Sequence, residues 1–188
     1  PGVGLVGVIA ADVGLNLPDF RAGERTFQLL TQVAGRTGRW GQSGRVVVQT
    51  FRPDHYTIEL ARLQSFQPFF ERESEERRGL GLGYPPFSRL VSVLVRGRER
   101  DSVVSSVTAL AEFLEAGAGT MDEPRPEVLG PAPAPLERLK GDHRWHVLVR
   151  GRGAAARALV AAALEQIGSL KLPSSVSLAV DVDPVDLL

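Results

Sequence analysis

Gln32-Val33-Ala34-Gly35-Arg36-Thr37-Gly38-Arg39 is the stretch on which the reading of this chain turns, because of what stands on either side of it. Upstream, the run Val3 to Ala11 is apolar almost throughout and rich in Val and Ile. Downstream, Arg45 to Phe51 (RVVVQTF) repeats that character and is closed by Pro53. Short, uniformly apolar runs of this kind read as strands buried on both faces of a parallel sheet. Turn residues fill Asp12 to Asp19, with Gly14, Asn16 and Pro18. Ala22 to Arg36 then carries a helical period, with Phe27, Leu30 and Ala34 beside Leu29 and Val33 on its apolar side. Gly38, Gly41 and Gly44 stop it. Strand, helix and strand with short links make a βαβ unit with a right-handed crossover. One such unit leaves both sheet edges and one face bare, and the chain enters its first strand at once. The expectation is that the remainder of an α/β sheet lies upstream in a longer protein.

Composition bounds the rest. The 188 residues, 43% hydrophobic and 23% charged, suit one large soluble domain or two small ones. No apolar run reaches the roughly 20 residues that a membrane helix needs, and no cleavable leader is visible. The absence of cysteine fits a reducing cytoplasm and excludes a thiolate zinc site within these residues. Histidines at 55, 143 and 146 make no metal cluster. The net charge is zero, so any argument for nucleic acid must come from local placement. Lys140 and Lys171 are the only lysines. An arginine bias suits bidentate phosphate contacts, although high-GC coding is the simpler source of it.

Asp54 to Arg78 reads as helical, with Ile58, Leu60, Leu63, Phe66, Phe69 and Phe70 as its apolar face. Pro68 separates two helices or starts the second. The charged run Glu71 to Arg78 reads as a solvated helix face with Glu–Arg pairs. Gly79 to Pro86 (GLGLGYPP) is a linker. Beyond it, Arg89 to Val95 reads as a strand, and Asp101 to Leu114 as a helix aligning Val103, Val107, Leu110 and Leu114. Glu127 to Leu129 is a short strand before the proline-rich loop Gly130 to Pro135. Arg144 to Arg150 is a strand, Ala154 to Ile167 an alanine-rich helix and Val176 to Val182 a last strand. The order βαββαβ predicts an α+β domain of ferredoxin-like type, one sheet covered on one face by two helices. The chain thus divides into residues 1–53, the end of an α/β lobe, 54–83, a helical connector and linker, and 84–188, the α+β domain.

The chemistry lies in the opening stretch. Arg36 and Arg39 are three residues apart and project to one side of a helix or its last turn. Gly35 and Gly38 precede them and let the backbone approach a ligand closely. Two guanidinium forks presented together suit a triphosphate whose charge spreads over the γ-oxygens in the transition state. The plainer alternative is that both arginines only complement the helix C-terminus. The pattern Gln-x-x-Gly-Arg-x-Gly-Arg resembles motif VI of superfamily 2 helicases. The block Pro18 to Thr31 leading into Gln32 is similar to the PriA family of primosomal (N′) replication-restart helicases. So are Glu76-Arg77-Arg78 before Tyr84-Pro85-Pro86-Phe87, the run Val128 to Pro135, and Asp181-Val182-Asp183-Pro184. The stretch Gly79 to Gly83 is longer than the usual spacing between two of these blocks.

This resemblance implies an α/β fold in which residues 1–53 end the second RecA-like helicase lobe and residues 84–188 form the C-terminal domain. It implies an ATP-dependent 3′–5′ DNA helicase that binds stalled forks and promotes primosome assembly. The alternative is a fork-binding scaffold of the same family with no active ATPase. Arg39 would be the arginine finger, Arg36 the second γ-phosphate contact, and Gln32 the link to lobe closure. ATP and Mg²⁺ would be held by upstream motifs, and zinc by an upstream cysteine module, so this chain alone should bind none of them and be inactive. The implied partners are branched and single-stranded DNA, single-stranded DNA-binding protein and other primosome proteins, with no membrane.

Two further features stand in the second half. Along Arg144 to Arg150, Trp145, Val147 and Val149 share one face and Arg144, His146, Leu148 and Arg150 the other. With Arg138, Lys140 and Arg152, the second set makes either a basic patch that follows a phosphate backbone or a solvated sheet face. Trp145 is a core residue or a base-stacking platform. Asp181 and Asp183 cap a strand end or form a carboxylate pair without a third ligand. Asp19 and Glu24 stand where a helix start favours negative charge, or serve the site beside it.

Overall fold

A computed structural model describes residues 4–36, 44–79 and 81–187 of the chain. Strands β1 (Leu5–Val8) and β2 (Arg45–Val48) pair in parallel, in register from Leu5 opposite Arg45 to Val8 opposite Val48. Between them come a single turn of helix, α1 (Asp12–Leu15), where the sequence predicts only a turn, and α2 (Ala22–Ala34). After β2 follow α3 (Tyr56–Arg62) and α4 (Phe66–Arg78), with Pro68 in the first turn of α4, where its missing N–H is tolerated. Ala11, Phe27, Leu30, Ile58, Ala61 and Phe69 form the core of this first unit. The rings of Phe27 and Phe69 stack with centroids 4.0 Å apart. The helices expected as a separate connector therefore share a core with α2, and the compact units are Pro1–Glu76 and Arg77–Leu188.

The expectation of strands buried on both faces fails. β1 and β2 alternate exposed and half-buried residues, and Leu5, Ile9, Val47 and Phe51 face solvent. The cause is geometric: a two-stranded sheet with helical cover on one side buries every second side chain. Leu29, Leu63, Phe66 and Phe70 are likewise exposed, although the sequence pattern places them on apolar faces.

The second unit is an antiparallel α+β domain. Its elements are β3 (Arg89–Gly97), α5 (Arg100–Gly119), β4 (Glu127–Leu139), β5 (Asp142–Gly151), α6 (Ala155–Glu165), a 3-10 turn (Ile167–Leu170) and β6 (Val176–Val182). The element order βαββαβ is the one the sequence predicts, and the sheet order is β4-β5-β3-β6. Strand alternation sends Val91, Val93, Val95, Val147 and Val149 to the helix side, where they meet Val103, Val107, Leu110 and Leu114 of α5 and Leu159 and Val160 of α6. All eleven are at most 5% exposed, which makes this the larger of the two cores among the described residues.

One element differs from expectation. Glu127 to Leu139 is a single strand, not a short strand followed by a proline-rich loop. Prolines at 131, 133 and 135 are accommodated because β4 is an edge strand, whose outer side needs no donors, and because its pairing shifts at two bulges. Lys140 and Gly141, at φ 52° and 92°, close the β4–β5 hairpin as a two-residue turn.

Residues 81–88 are also more structured than a linker. Tyr84 N–H donates to the Arg77 carbonyl at 2.7 Å, Phe87 N–H to the Tyr84 carbonyl at 3.0 Å, and Ser88 Oγ to the Gly83 carbonyl at 2.7 Å. Gly83 has φ +70°, and a Cβ there would lie 2.8 Å from the Arg78 carbonyl oxygen, so only glycine fits this turn. Leu82 is buried. The segment is a strap belonging to the second unit.

Candidate functional site

α2 delivers the first group of residues. Its apolar stripe is held down by Phe27 and Leu30, which leaves Gln32 on the solvent side of the last turn. Gly35 ends the helix by donating to the Thr31 carbonyl, and Arg36 N–H bonds back to the Val33 carbonyl at 3.1 Å. Arg36 is exposed one turn beyond Gln32, so an amide and a guanidinium stand close in sequence on one open helix end. Arg39 lies outside the described residues. Asp19 fixes the other end of α2: its Oδ1 accepts from Arg21 N–H at 2.8 Å and its Oδ2 meets Arg25 Nη1 at 3.1 Å. With its side chain 1% exposed, Asp19 is a structural anchor for the helix start. Glu24 accepts from Gln28 one turn on.

Sequence reasoning missed Asp12. This buried carboxylate takes Thr50 Oγ1 at 2.7 Å and Phe51 N–H at 2.9 Å, tying the end of β1 to the end of β2. The Thr50 bond, followed by the Phe51 amide, holds its carboxyl below the usual carboxylate range. Beside it, a hollow is lined by apolar Leu30, Ala34, Val46, Val48 and Ile58 together with polar Thr50, Glu59, Arg62 and Gln64.

The basic residues of the second unit separate into two groups. Arg138, Lys140 and Arg152 are exposed, and Arg144 is half-buried, with Nη1 donating to the Leu136 carbonyl at 3.2 Å. Arg150 and His146 are withdrawn from that surface. Arg150 Nε donates to Glu127 Oε2 at 3.0 Å and its Nη2 pairs with the same oxygen, while its guanidinium lies 4.8 Å from the centre of the Tyr84 ring. The other Glu127 oxygen accepts from Leu82 N–H at 3.3 Å. Arg150 is thus 9% exposed beneath the strap, its charge already matched. His146 is 8% exposed, and burial, then the charge of Arg144, pushes its pKa down, so at neutral pH it carries no charge for a phosphate. Glu127 was invisible as a partner because it lies 23 residues from Arg150 and faces it only through the β4–β5 register.

Trp145 is on the helix side of the sheet, packed against the core and 5.8 Å from the Arg100 guanidinium. Asp183 pairs with Arg89 at 3.1 Å and its N–H donates to the Leu90 carbonyl, closing off β6. Among the described residues no group of three or more His, Cys, Asp or Glu side chains is placed to hold a metal ion.

With this geometry in place, comparison with known proteins decides the relationship. The family model described as "Primosomal protein N C-terminal domain" matches residues 81–185. The chain belongs to the PriA family. It is 39% identical over 150 residues to the replication restart protein PriA of Bacillus subtilis, covering 80% of this chain and 18% of that protein. The PriA of Synechocystis is 37% identical over 183 residues, 97% of this chain and 21% of that protein. The PriA of Treponema pallidum is 34% identical over 192 residues, spanning the whole chain and 27% of that protein. The chain therefore spans about a fifth to a quarter of the length of these PriA relatives. The PriA domain match starts at residue 81, inside the strap, which agrees with the strap being part of the α+β domain. No helix among the described residues is long and apolar enough to cross a membrane.

Proposed function

We propose that this PriA-family chain is the C-terminal portion of an ATP-dependent 3′–5′ DNA helicase of the cytoplasm that binds stalled replication forks and promotes replication restart. The observation that carries the reading is the motif Gln32 to Arg39 at the end of the helix joining two parallel strands, within a chain similar to PriA proteins along its length. On this reading residues 1–53 end a RecA-like lobe. Gln32 and Arg36, an open hydrogen-bonding group and an open cation, suit the terminal phosphate of ATP, and Arg39 is the finger that meets charge developing on the γ-oxygens. Mg²⁺ and the remaining phosphate contacts come from residues outside this chain, as does the zinc module. Branched and single-stranded DNA, single-stranded DNA-binding protein and other primosome proteins are the partners. The exposed cations Arg138, Lys140 and Arg152, with half-buried Arg144 beside them, are the part of the second unit that meets DNA.

In the full-length protein, Arg39→Ala is expected to lower DNA-stimulated ATP hydrolysis by roughly three orders of magnitude while fork binding holds within a few fold. Turnover that survives the substitution overturns the finger assignment. A wild-type protein that binds forks without any turnover makes the chain part of a scaffold.

A further inference from the structure

At the end of the β4–β5 hairpin, apolar side chains face water among the cations. Leu136 is 48% exposed and Leu139 45% exposed, and Arg138 and Lys140 lie between and beside them in sequence. The arrangement is built by the fold. Between the pairs Pro133–Trp145 and Arg138–His143, β4 has four residues where β5 has one, so Ala134 to Glu137 bulge out of the ladder. Ala134 is buried at the base of that bulge, and Arg144 holds the Leu136 carbonyl, fixing the segment from below. The tight Lys140–Gly141 turn fixes its end. Glu137 and Asp142 are the acidic neighbours, and among the described residues no ion pair engages Arg138 or Lys140.

Two solvent-facing leucines beside a two-residue turn do not help solubility or the core of this unit. Strand addition to this edge is disfavoured because Pro131, Pro133 and Pro135 lack donors. Recognition here therefore runs through side chains. Proteins that combine arginine or lysine with an apolar wedge do so where base stacking is interrupted: the cations hold phosphates and the wedge covers a base-pair face that would otherwise meet water. A DNA junction supplies such a face at its last base pair, and a linear duplex interior does not.

We propose that the tip Leu136 to Gly141 is a junction wedge, with Leu136 and Leu139 against the terminal base pair of a fork and Arg138 and Lys140 on the flanking phosphates. The proposal rests on the reading of this chain as part of a fork-binding protein, and names how one of its surfaces tells a fork from a plain duplex.

The test uses the full-length protein, with binding to forked DNA, linear duplex and single strands read by fluorescence anisotropy. A 2-aminopurine placed at the junction reports on stacking there. Leu136→Ser with Leu139→Ser is expected to lower fork affinity on the order of tenfold. Linear-duplex affinity and its salt dependence should stay within twofold, and the 2-aminopurine signal change on binding should disappear. Arg138→Ala with Lys140→Ala is expected to weaken binding to all three DNAs and to lower the duplex salt slope by roughly 2. A leucine variant that keeps the wild-type preference for forks and the wild-type 2-aminopurine response overturns the wedge. A leucine variant that instead loses affinity for an acidic peptide while keeping the fork preference also overturns it. If the wild-type protein shows no preference for forks over linear duplex, the functional reading fails before the wedge is at issue. Both leucines are exposed, so a circular dichroism spectrum matching the wild type is expected and confirms that the fold is retained.

Discussion

Arg150 and Glu127 illustrate what a single pairing does for this domain. The guanidinium is buried under Tyr84 and both of its contacts to Glu127 run to one oxygen, while the second oxygen holds the Leu82 amide. Glu127→Ala leaves a buried cation without its partner and unties the strap, and is expected to cost roughly 2 kcal/mol of stability by urea denaturation. Its local signature is faster amide exchange at Leu82 and Tyr84 than in the wild type. Alternation along β5 placed Arg150 correctly on the face away from the helices, opposite Leu90. What alternation cannot show is that a segment more than sixty residues earlier in the chain folds back over that face. The same limit hid Asp12, whose partners Thr50 and Phe51 lie across the β1–β2 pair. Charged residues are readable from sequence as to face, and unreadable as to cover.

Elements with a strong period were legible. Val103, Val107, Leu110 and Leu114 recur on one stripe of α5, and each is at most 1% exposed. Leu114→Ala is expected to destabilise the domain by about 3 kcal/mol, measured by denaturant titration, because the site sits deep between sheet and helix and collapses poorly. Elements defined by their neighbours were less legible. Proline in Gly130 to Pro135 argues against strand in general, yet an edge position removes the objection. Leu29 fits the apolar side of α2 by period, yet it is 53% exposed. At the hairpin, Gly141 has φ +92° and open space around its Cα, so strain alone opposes a side chain there. Gly141→Val is expected to cost on the order of 1 kcal/mol in thermal stability and to loosen the tip, whereas Gly141→Asn should be nearly neutral.

Across the whole molecule, each unit carries one histidine whose charged form the fold disfavours. Burial lowers the pKa of His55, helped by Arg52, and burial followed by Arg144 lowers that of His146, both from an ordinary value of 6.5. His55 uses its neutral Nδ1 to accept from Thr57 N–H at the start of α3. Below pH 6.5 the unfolded chain takes up protons that the folded one refuses, so stability is full above that value and falls as pH drops through the depressed folded values. Thermal melts between pH 7.5 and 5 should show a falling midpoint, with His146→Gln flattening the fall of the second unit. The α+β class and element order of the second unit came through in the sequence because they rest on many residues at once. The grouping of α3 and α4 with α2 did not, since it hangs on the few contacts made by Phe27, Ile58 and Phe69.

The sheet order has a consequence for how the protein comes into being. β3 is central, with β5 on one side and β6 on the other, and Val91 pairs with Val182. Contacts of such wide sequence separation are slow to form, because most of the intervening chain must be ordered before they repay the loop closure. During synthesis the ribosome releases β3 long before β6 exists, so for that interval a valine-rich strand has a bare edge. The C-terminal domain of this PriA-family protein is thus expected to fold only once β6 has emerged, and chaperones that shield nascent strands have their window here.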